Sequence, residues 1–277
     1  MFEFSKMSGN GNDFIVIDNR DGSYNEFRNN KEFVKKVCAR GLSVGADGLI
    51  FIENSEKSDL DFKWHFYNSD GSIAEMCGNG ARCAARYAYL EKIAGKKMKF
   101  ETLAGIIEAE IIDNNNDEEV KTMLTTPFDL SLDQNINALD INYSISSINT
   151  GVPHAVILTD DVSKMDVHNI GSSIRYNKDF AEKGCNVNFI EVTGDNSLKI
   201  RTYERGVEGE TLACGTGCAA SAIIAIKKGK VNNPVKLLTA GGKTLTVYYD
   251  NDKNIVFLQG EGRRVYKGEL LKEAYEY

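Results

Sequence analysis

A chain of 277 residues that is 42% apolar and 26% charged has the makeup of a soluble globular protein with room for two cores. Its net charge of −7, with no basic run longer than two residues, argues against nucleic acid as a partner, and no apolar run approaches the roughly 18–20 residues that span a bilayer. Six cysteines in a chain this long are no disulfide framework, Cys77-x5-Cys83 and Cys214-x3-Cys218 fit no usual zinc pair, and histidines are only three, so free thiols are expected and a metal is not.

The opening residues Met1 to Lys6 lack the basic and apolar regions of a secretory signal, so the expected location is the cytoplasm. Ser8-Gly9-Asn10-Gly11-Asn12-Asp13 interrupts a short first strand and leads into the strand Phe14–Asp18. Asn30 to Arg40 reads as a helix with Phe33, Val34 and Val37 on one face and Gly41 as its stop. A turn at Gly45-Ala46-Asp47-Gly48 precedes the strand Leu49–Ile52; Asp61–Tyr67 is a further strand, and Asn68-Ser69-Asp70-Gly71 a polar turn. A helix beginning at Cys77 is expected to run to about Lys92, followed by two short strands on either side of Ala104-Gly105. The polar stretch 113–119 is a hairpin tip or the approach to a domain boundary. Strands resume between Ile145 and Val156, broken by Thr150-Gly151-Val152-Pro153-His154. Asp166–Ile174 is helical, Val187–Val192 and Leu198–Tyr203 are strands, a second long helix follows Cys214, and three short strands from Val235 to Leu258 close the chain as a meander.

A diverged repeat runs through these elements. Gly11 to Val16 lines up with Gly151 to Val156, Phe51-Ile52-Glu53 with Phe189-Ile190-Glu191, and Phe66-Tyr67-Asn68 with Tyr203-Glu204-Arg205, at offsets that shrink from 140 to 137. Such a period means two domains of like build rather than a solenoid. Each half places one cysteine in Cys-Gly-X-Gly at a helix start: Cys77-Gly78-Asn79-Gly80 and Cys214-Gly215-Thr216-Gly217. The cleft between such halves is the natural place for a pocket.

A thiol at a helix N-terminus sits at the positive end of the macrodipole, a setting that lowers its pKa. Gly78 and Gly215 leave room for backbone N–H groups to approach an anion such as a substrate carboxylate. Two thiols on opposite faces of an α-carbon could remove a proton from one face and return one to the other, inverting the centre. No lysine is marked out as a pyridoxal Schiff base, so a cofactor-free racemase or epimerase is expected. Arg205 could bind a second carboxylate and Glu204 an ammonium. His154 could help hold one thiolate. Asn12, Asn68, Asn79 and Asn186 lie in turns beside the repeated motifs, while Cys38, Cys83 and Cys218 read as core.

These residues resemble the diaminopimelate epimerase family along nearly the whole chain. The resemblance is carried by Gly11-Asn12-Asp13-Phe14, Gly45-Ala46-Asp47-Gly48-Leu49, Asn68-Ser69-Asp70-Gly71 and Glu75-Met76-Cys77-Gly78-Asn79-Gly80 in the first half. In the second half it is carried by Gly151-Val152-Pro153-His154-Ala155-Val156, Asn186-Val187-Asn188-Phe189, Tyr203-Glu204-Arg205-Gly206 and Ala213-Cys214-Gly215-Thr216-Gly217. The resemblance implies an α/β (α+β) fold of two pseudo-symmetric domains, each a mixed or antiparallel sheet around a central helix. The division expected is 1–121, carrying Cys77 and rejoined by a tail of about 264–277, and 122–263, carrying Cys214. It implies interconversion of LL- and meso-2,6-diaminopimelate without cofactor or metal, by a chain whose partners are that small molecule and, in many members, a second copy. Cys77 and Cys214 would be the bases, assisted by His154 and Glu204; Asn12, Gly78, Asn79, Gly215 and Thr216 would hold the reacting end. Asn68, Asn186 and Arg205 would hold the distal one.

Three positions depart from the pattern: Val152 where asparagine is frequent, Cys185 where threonine is usual, and Gly48 where some members carry glutamine. They bear on the distal end and leave the two thiols untouched. A related proline or hydroxyproline racemase is the nearest alternative, disfavoured by Asn79 in place of histidine and by Arg205. A thiol redox or metal-binding module is the alternative from another class, disfavoured by the 137 residues between two equivalent cysteines.

Overall fold

The computed structural model describes residues 2–112, 119–177 and 184–277, so most of the polar stretch at 113–119 lies outside the described residues. The chain divides into two compact units, Met1–Thr122 with Gly260–Tyr277, and Met123–Gln259.

In the first unit β1 (Phe2–Gly9) and β2 (Asn12–Asp18) form an antiparallel hairpin. Its tip is Asn10-Gly11, both at positive φ, the conformation a tight hairpin turn demands and Asn-Gly supplies. The short α1 (Asn25–Arg28) and α2 (Lys31–Cys38) follow, the latter capped by the Asn30 side chain accepting from Phe33 N. Next come β3 (Gly48–Glu53), β4 (Phe62–Asn68), α3 (Gly78–Leu90), β5 (Lys97–Thr102), β6 (Gly105–Ile111) and β7 (Glu119–Met123). β2 pairs parallel with β3, β3 antiparallel with β4, β4 parallel with β5, and β5, β6 and β7 pair antiparallel in turn.

The second unit repeats that order with one short strand added before its long helix. β8 (Phe128–Ala138) and β9 (Ile141–Asn149) are antiparallel, as are β9 and β10 (Pro153–Leu158). After α4 (Val167–Arg175) come β11 (Asn186–Gly194), β12 (Ser197–Glu204), the short β13 (Gly209–Thr211), α5 (Gly215–Lys227), β14 (Val235–Thr239), β15 (Thr244–Asp250) and β16 (Ile255–Glu261). β10 is parallel to β11, β11 antiparallel to β12, β12 parallel to β14, and β14, β15 and β16 are antiparallel in turn. β17 (Arg263–Leu270) then pairs antiparallel with β1, taking the place beside β1 that β8 takes beside β9.

α3 and α5 are the helices around which each unit is built. Both are buried along most of their length, and glycine, alanine and cysteine make up much of their first turns, which lets strands approach closely. α3 lies in a cluster with Phe14, Ile50, Phe62, Trp64, Phe66 and Phe100, and α5 in one with Val156, Ile190, Ile200, Leu237 and Val247. A second cluster in each unit packs α2 on Ile15, Leu49 and Phe51, and α4 on Ala155, Val187 and Phe189. β3, buried at every position, reads as an unbroken apolar strand because both of its faces are covered. The expected fold class holds: mixed sheets, a parallel pair flanking each long helix, and one architecture used twice.

Candidate active site

Cys77 is the N-cap of α3, in extended backbone at φ −147° and ψ 118°, and its Sγ accepts from Gly80 N at 3.4 Å. A thiol thus fills the capping role usually taken by a serine or aspartate oxygen. Asn79, one residue into the helix, donates from Nδ2 to Asn12 Oδ1 at 2.6 Å, and Asn12 donates to Asp47 Oδ2 at 3.0 Å. The wholly buried Arg82 donates to the Asn79 and Asn10 side-chain oxygens and to the carbonyl of Glu261. With Arg82 on its oxygen, the Asn79 amide has only one orientation, so the polar chain Arg82–Asn79–Asn12–Asp47 is fixed. Asp47 in turn pairs with Arg40, and Asp13 with Arg40 and Lys6. Asn68, at the end of β4, is exposed and its side chain donates to Ser72 Oγ within its own turn. Gly78 is the first residue of α3.

Cys214 is the N-cap of α5 at φ −120° and ψ 109°, with no side-chain capping bond; its Sγ lies 3.5 Å from Thr216 Oγ1. Thr150 Oγ1 donates to the Thr216 carbonyl at 3.0 Å and ties the start of α5 to the end of β9. Glu204, the last residue of β12, accepts from Thr211 Oγ1 at 2.8 Å, and burial raises its carboxyl above the ordinary value. Asn186 Oδ1 accepts from the backbone N–H of Arg205 at 2.7 Å, and Arg205 Nη1 donates to the Gly184 carbonyl at 3.3 Å. No carboxylate among the described residues pairs with that guanidinium. His154, on β10 and wholly buried, lies 3.1 Å by Nδ1 from Asn188 Nδ2; burial, reinforced by Arg205, pushes its pKa down to about 3.

The expectation that the helix starts lower both thiol pKa values is corrected here. Burial is the larger effect in each case and raises both thiols above the ordinary value. At Cys77 the N–H groups of Gly80 and Asn79 and the charge of Arg82 oppose that rise, with Asp47 adding to it. At Cys214 the charge of Glu204 adds to burial, the thiol stands at about 11, and Thr216 and Gly217 pull back only in part. His154 is neutral at working pH, so it does not hold a thiolate by positive charge.

Asn12, Gly78 and Asn79 therefore gather at Cys77, and Thr216, Gly215 and Glu204 at Cys214, with His154 and Asn186 around Arg205. Sequence reasoning passed over Arg82, Asp47, Asn188 and Thr202. A signal for Asn188 was present: an asparagine between Val187 and Phe189, where the first half has Ile50. Gly48 has no space for a larger residue, since a Cβ there would lie 2.6 Å from the Phe66 ring and the Tyr67 carbonyl oxygen. Cys185 is a core residue with its thiol raised to about 12 by burial, and Val152 is half-buried just before β10. All six cysteines are free thiols, and Cys38, Cys83 and Cys218 are buried. Among the described residues no group of three or more His, Cys, Asp or Glu side chains could hold a metal ion, and no helix is long and apolar enough to cross a membrane.

Comparison with known proteins adds the following. The family model described as diaminopimelate epimerase matches residues 4–128 and 146–265. A protein of that name from Aquifex aeolicus is 48% identical over 99% of this chain and 100% of its own length. Another from a Hydrogenobaculum species is 47% identical over 98% of this chain and 99% of its own. Among solved structures, a phenazine biosynthesis protein of the PhzF family from Bacillus anthracis superposes with a TM-score of 0.71 at 15% identity, covering 98% of this chain and 99% of that one. A hydroxyproline epimerase from Agrobacterium vitis superposes at 0.67 and 14% identity, covering 98% and 93%. At that identity both likenesses establish the fold alone.

Proposed function

The chain belongs to the diaminopimelate epimerase family, and from that premise we propose that Cys77 and Cys214 are the two acid–base groups of its reaction. The enzyme is an isomerase of lysine biosynthesis that interconverts LL- and meso-2,6-diaminopimelate. The observation that supports the assignment is the repeat itself: each unit caps its central helix with a cysteine, at the same place in the same strand order.

In this reading one thiolate takes the α-proton from one face of the stereocentre while the other thiol delivers a proton to the opposite face. The substrate carboxylate is held by N–H groups at the starts of α3 and α5, from Gly78, Asn79, Gly215 and Thr216, with Asn12 supporting Asn79. Those dipoles also stabilise the charge that grows on the carboxylate as the proton leaves. Nearby charge favours Cys77 as the thiolate: Arg82 opposes the rise that burial causes there, whereas Glu204 adds to the rise at Cys214. Glu204 meets the substrate ammonium, and Arg205, which has no carboxylate partner among the described residues, meets the distal carboxylate and its L-centre together with Asn186 and Asn68. A cytoplasmic homodimer working on this small molecule completes the reading, and sedimentation velocity measures its size.

The test uses purified protein, LL-diaminopimelate and no added pyridoxal phosphate. The meso isomer should appear, and Cys77→Ser or Cys214→Ser should each slow the reaction by about 10³-fold or more, because serine is a far weaker acid than cysteine. A serine variant with wild-type turnover would contradict the two-thiol assignment.

A further inference from the structure

The start of α5 rests on a buried polar network. Asn188, wholly buried in β11, donates from Nδ2 to the Ala155 carbonyl at 3.0 Å, places the same nitrogen 3.1 Å from His154 Nδ1, and accepts at Oδ1 from Thr202 Oγ1 at 3.0 Å. These contacts admit one arrangement of protons. The Ala155 carbonyl can only accept, so the Asn188 atom facing it is the NH2 group, and the other is the oxygen that receives the Thr202 hydroxyl. The second N–H of that NH2 group points at His154 Nδ1, which must then be bare. In a neutral imidazole the proton is left on Nε2. Nε2 is buried and has no hydrogen-bond partner among the described residues.

The first unit shows that the fold does not require this network. The strand register that sets Val156 beside Asn188 and Asn188 beside Thr202 sets Val16 beside Ile50 and Ile50 beside Phe66. Phe14 occupies the position of His154, paired with Gly48 as His154 is paired with Asn186. Hydrocarbon serves beneath α3, so the polar set beneath α5 answers a need other than folding.

We propose that Asn188 is a positioning residue that holds His154 as the Nε2–H tautomer, so that His154 enters the reaction as a neutral hydrogen-bond donor to an anion at the start of α5. The role rests on His154 belonging to the active site; the tautomer does not. The anion is either the substrate carboxylate or the Cys214 thiolate, and the donor satisfies its buried N–H only when that charge is present.

The chain has three histidines, His65, His154 and His168, so ¹⁵N-imidazole spectra of the whole protein contain three ring pairs, and His154→Gln identifies one of them. In the free protein His154 should show a pyrrole-like Nε2 and a pyridine-like Nδ1 across pH 6 to 9. A protonated Nδ1 or an imidazolium there would overturn the role of Asn188. Adding diaminopimelate should shift the Nε2–H signal; no shift would overturn the donor role while leaving the tautomer standing. A shift retained in Cys214→Ser identifies the carboxylate as the anion, and a shift lost there identifies the thiolate. Asn188→Asp should move the proton to Nδ1 and lower kcat by about a hundredfold, with the His65 and His168 signals unmoved. If that variant fails to fold, the wild-type spectrum still decides the tautomer.

Discussion

Beneath the first turn of α3, Gly80 faces Ile50 and Phe14, each 3.6 Å from where its Cβ would stand, and Phe14 meets Phe66 edge to face. Beneath the first turn of α5, Gly217 faces the side-chain oxygen of Asn188, with His154 and Thr202 bonded around it or close by. The strands, their register and the glycine are shared; the chemistry of the floor is not. The sheet determines where each thiol is mounted, and the floor determines what the mounted thiol can do. At Cys77, on hydrocarbon, the charge of Arg82 opposes the rise that burial causes; at Cys214, on a polar floor, the charge of Glu204 adds to it.

The comparison breaks most severely when the floors are exchanged. Giving the second unit the first unit's floor, by His154→Phe with Asn188→Ile, should leave the fold intact on circular dichroism and reduce epimerisation by about a hundredfold or more. The reverse change, Ile50→Asn, places an amide in hydrocarbon with no ready partner and should cost about 2–4 kcal/mol in urea unfolding. Equal stability costs for the two exchanges would mean that the floors are interchangeable packing.

A smaller effect separates the two glycines. A Cβ at Gly217 would collide with the Asn188 oxygen, which the Thr202 hydroxyl and the two contacts of the amide nitrogen hold in place, whereas a Cβ at Gly80 meets only ordinary contacts from 3.5 Å outward. Gly217→Ala should therefore destabilise by about 1–3 kcal/mol and disturb activity, while Gly80→Ala should be neutral or stabilise by about 0.5–1 kcal/mol through helix propensity. Thermal melts of the two variants compare them directly.

Acid separates the floors more gently. Because His154 has a folded pKa of about 3 against the ordinary histidine value of 6.5, the unfolded chain binds the extra proton between these values. Its contribution is present above pH 6.5 and is lost as pH falls toward 3. The stability of wild type relative to His154→Phe should thus decline by about 1.4 kcal/mol per pH unit through that window. A difference independent of pH would show that His154 is not held neutral. The smallest effect expected is in alkylation: Cys77 should react with iodoacetamide several-fold faster than Cys214 at pH 8, read by peptide mass spectrometry.

The repeat made most of this legible from sequence. Glycine and asparagine punctuate both halves at matching intervals, and the two Cys-Gly-X-Gly helix starts mark equivalent points, so the general order of strands and the two helix-capping cysteines were readable. β8 was not. It presents Phe128, Leu130 and Leu132 to solvent, and positive φ at Asp129 and Asp133 with two register shifts breaks its alternation. α1, at four residues, is too short to carry a period. Arg82 and Asn188 were hidden for a different reason: an arginine inside a helix reads as a solvated face, and an asparagine in a strand reads as an edge, until packing buries both. The thiol pKa values were misjudged because the dipole is visible in sequence, whereas the burial that outweighs it is not.

Central to the account are two thiols that each handle one face of the stereocentre, and isotope labelling at early turnover tests this most directly. In D2O, starting from unlabelled LL-diaminopimelate, the meso product should carry deuterium at the inverted carbon while the recovered LL substrate remains unlabelled, because the proton taken by one thiol is returned only to the face it left. Deuterium entering LL substrate as fast as meso product, or meso product retaining the substrate proton, would contradict it.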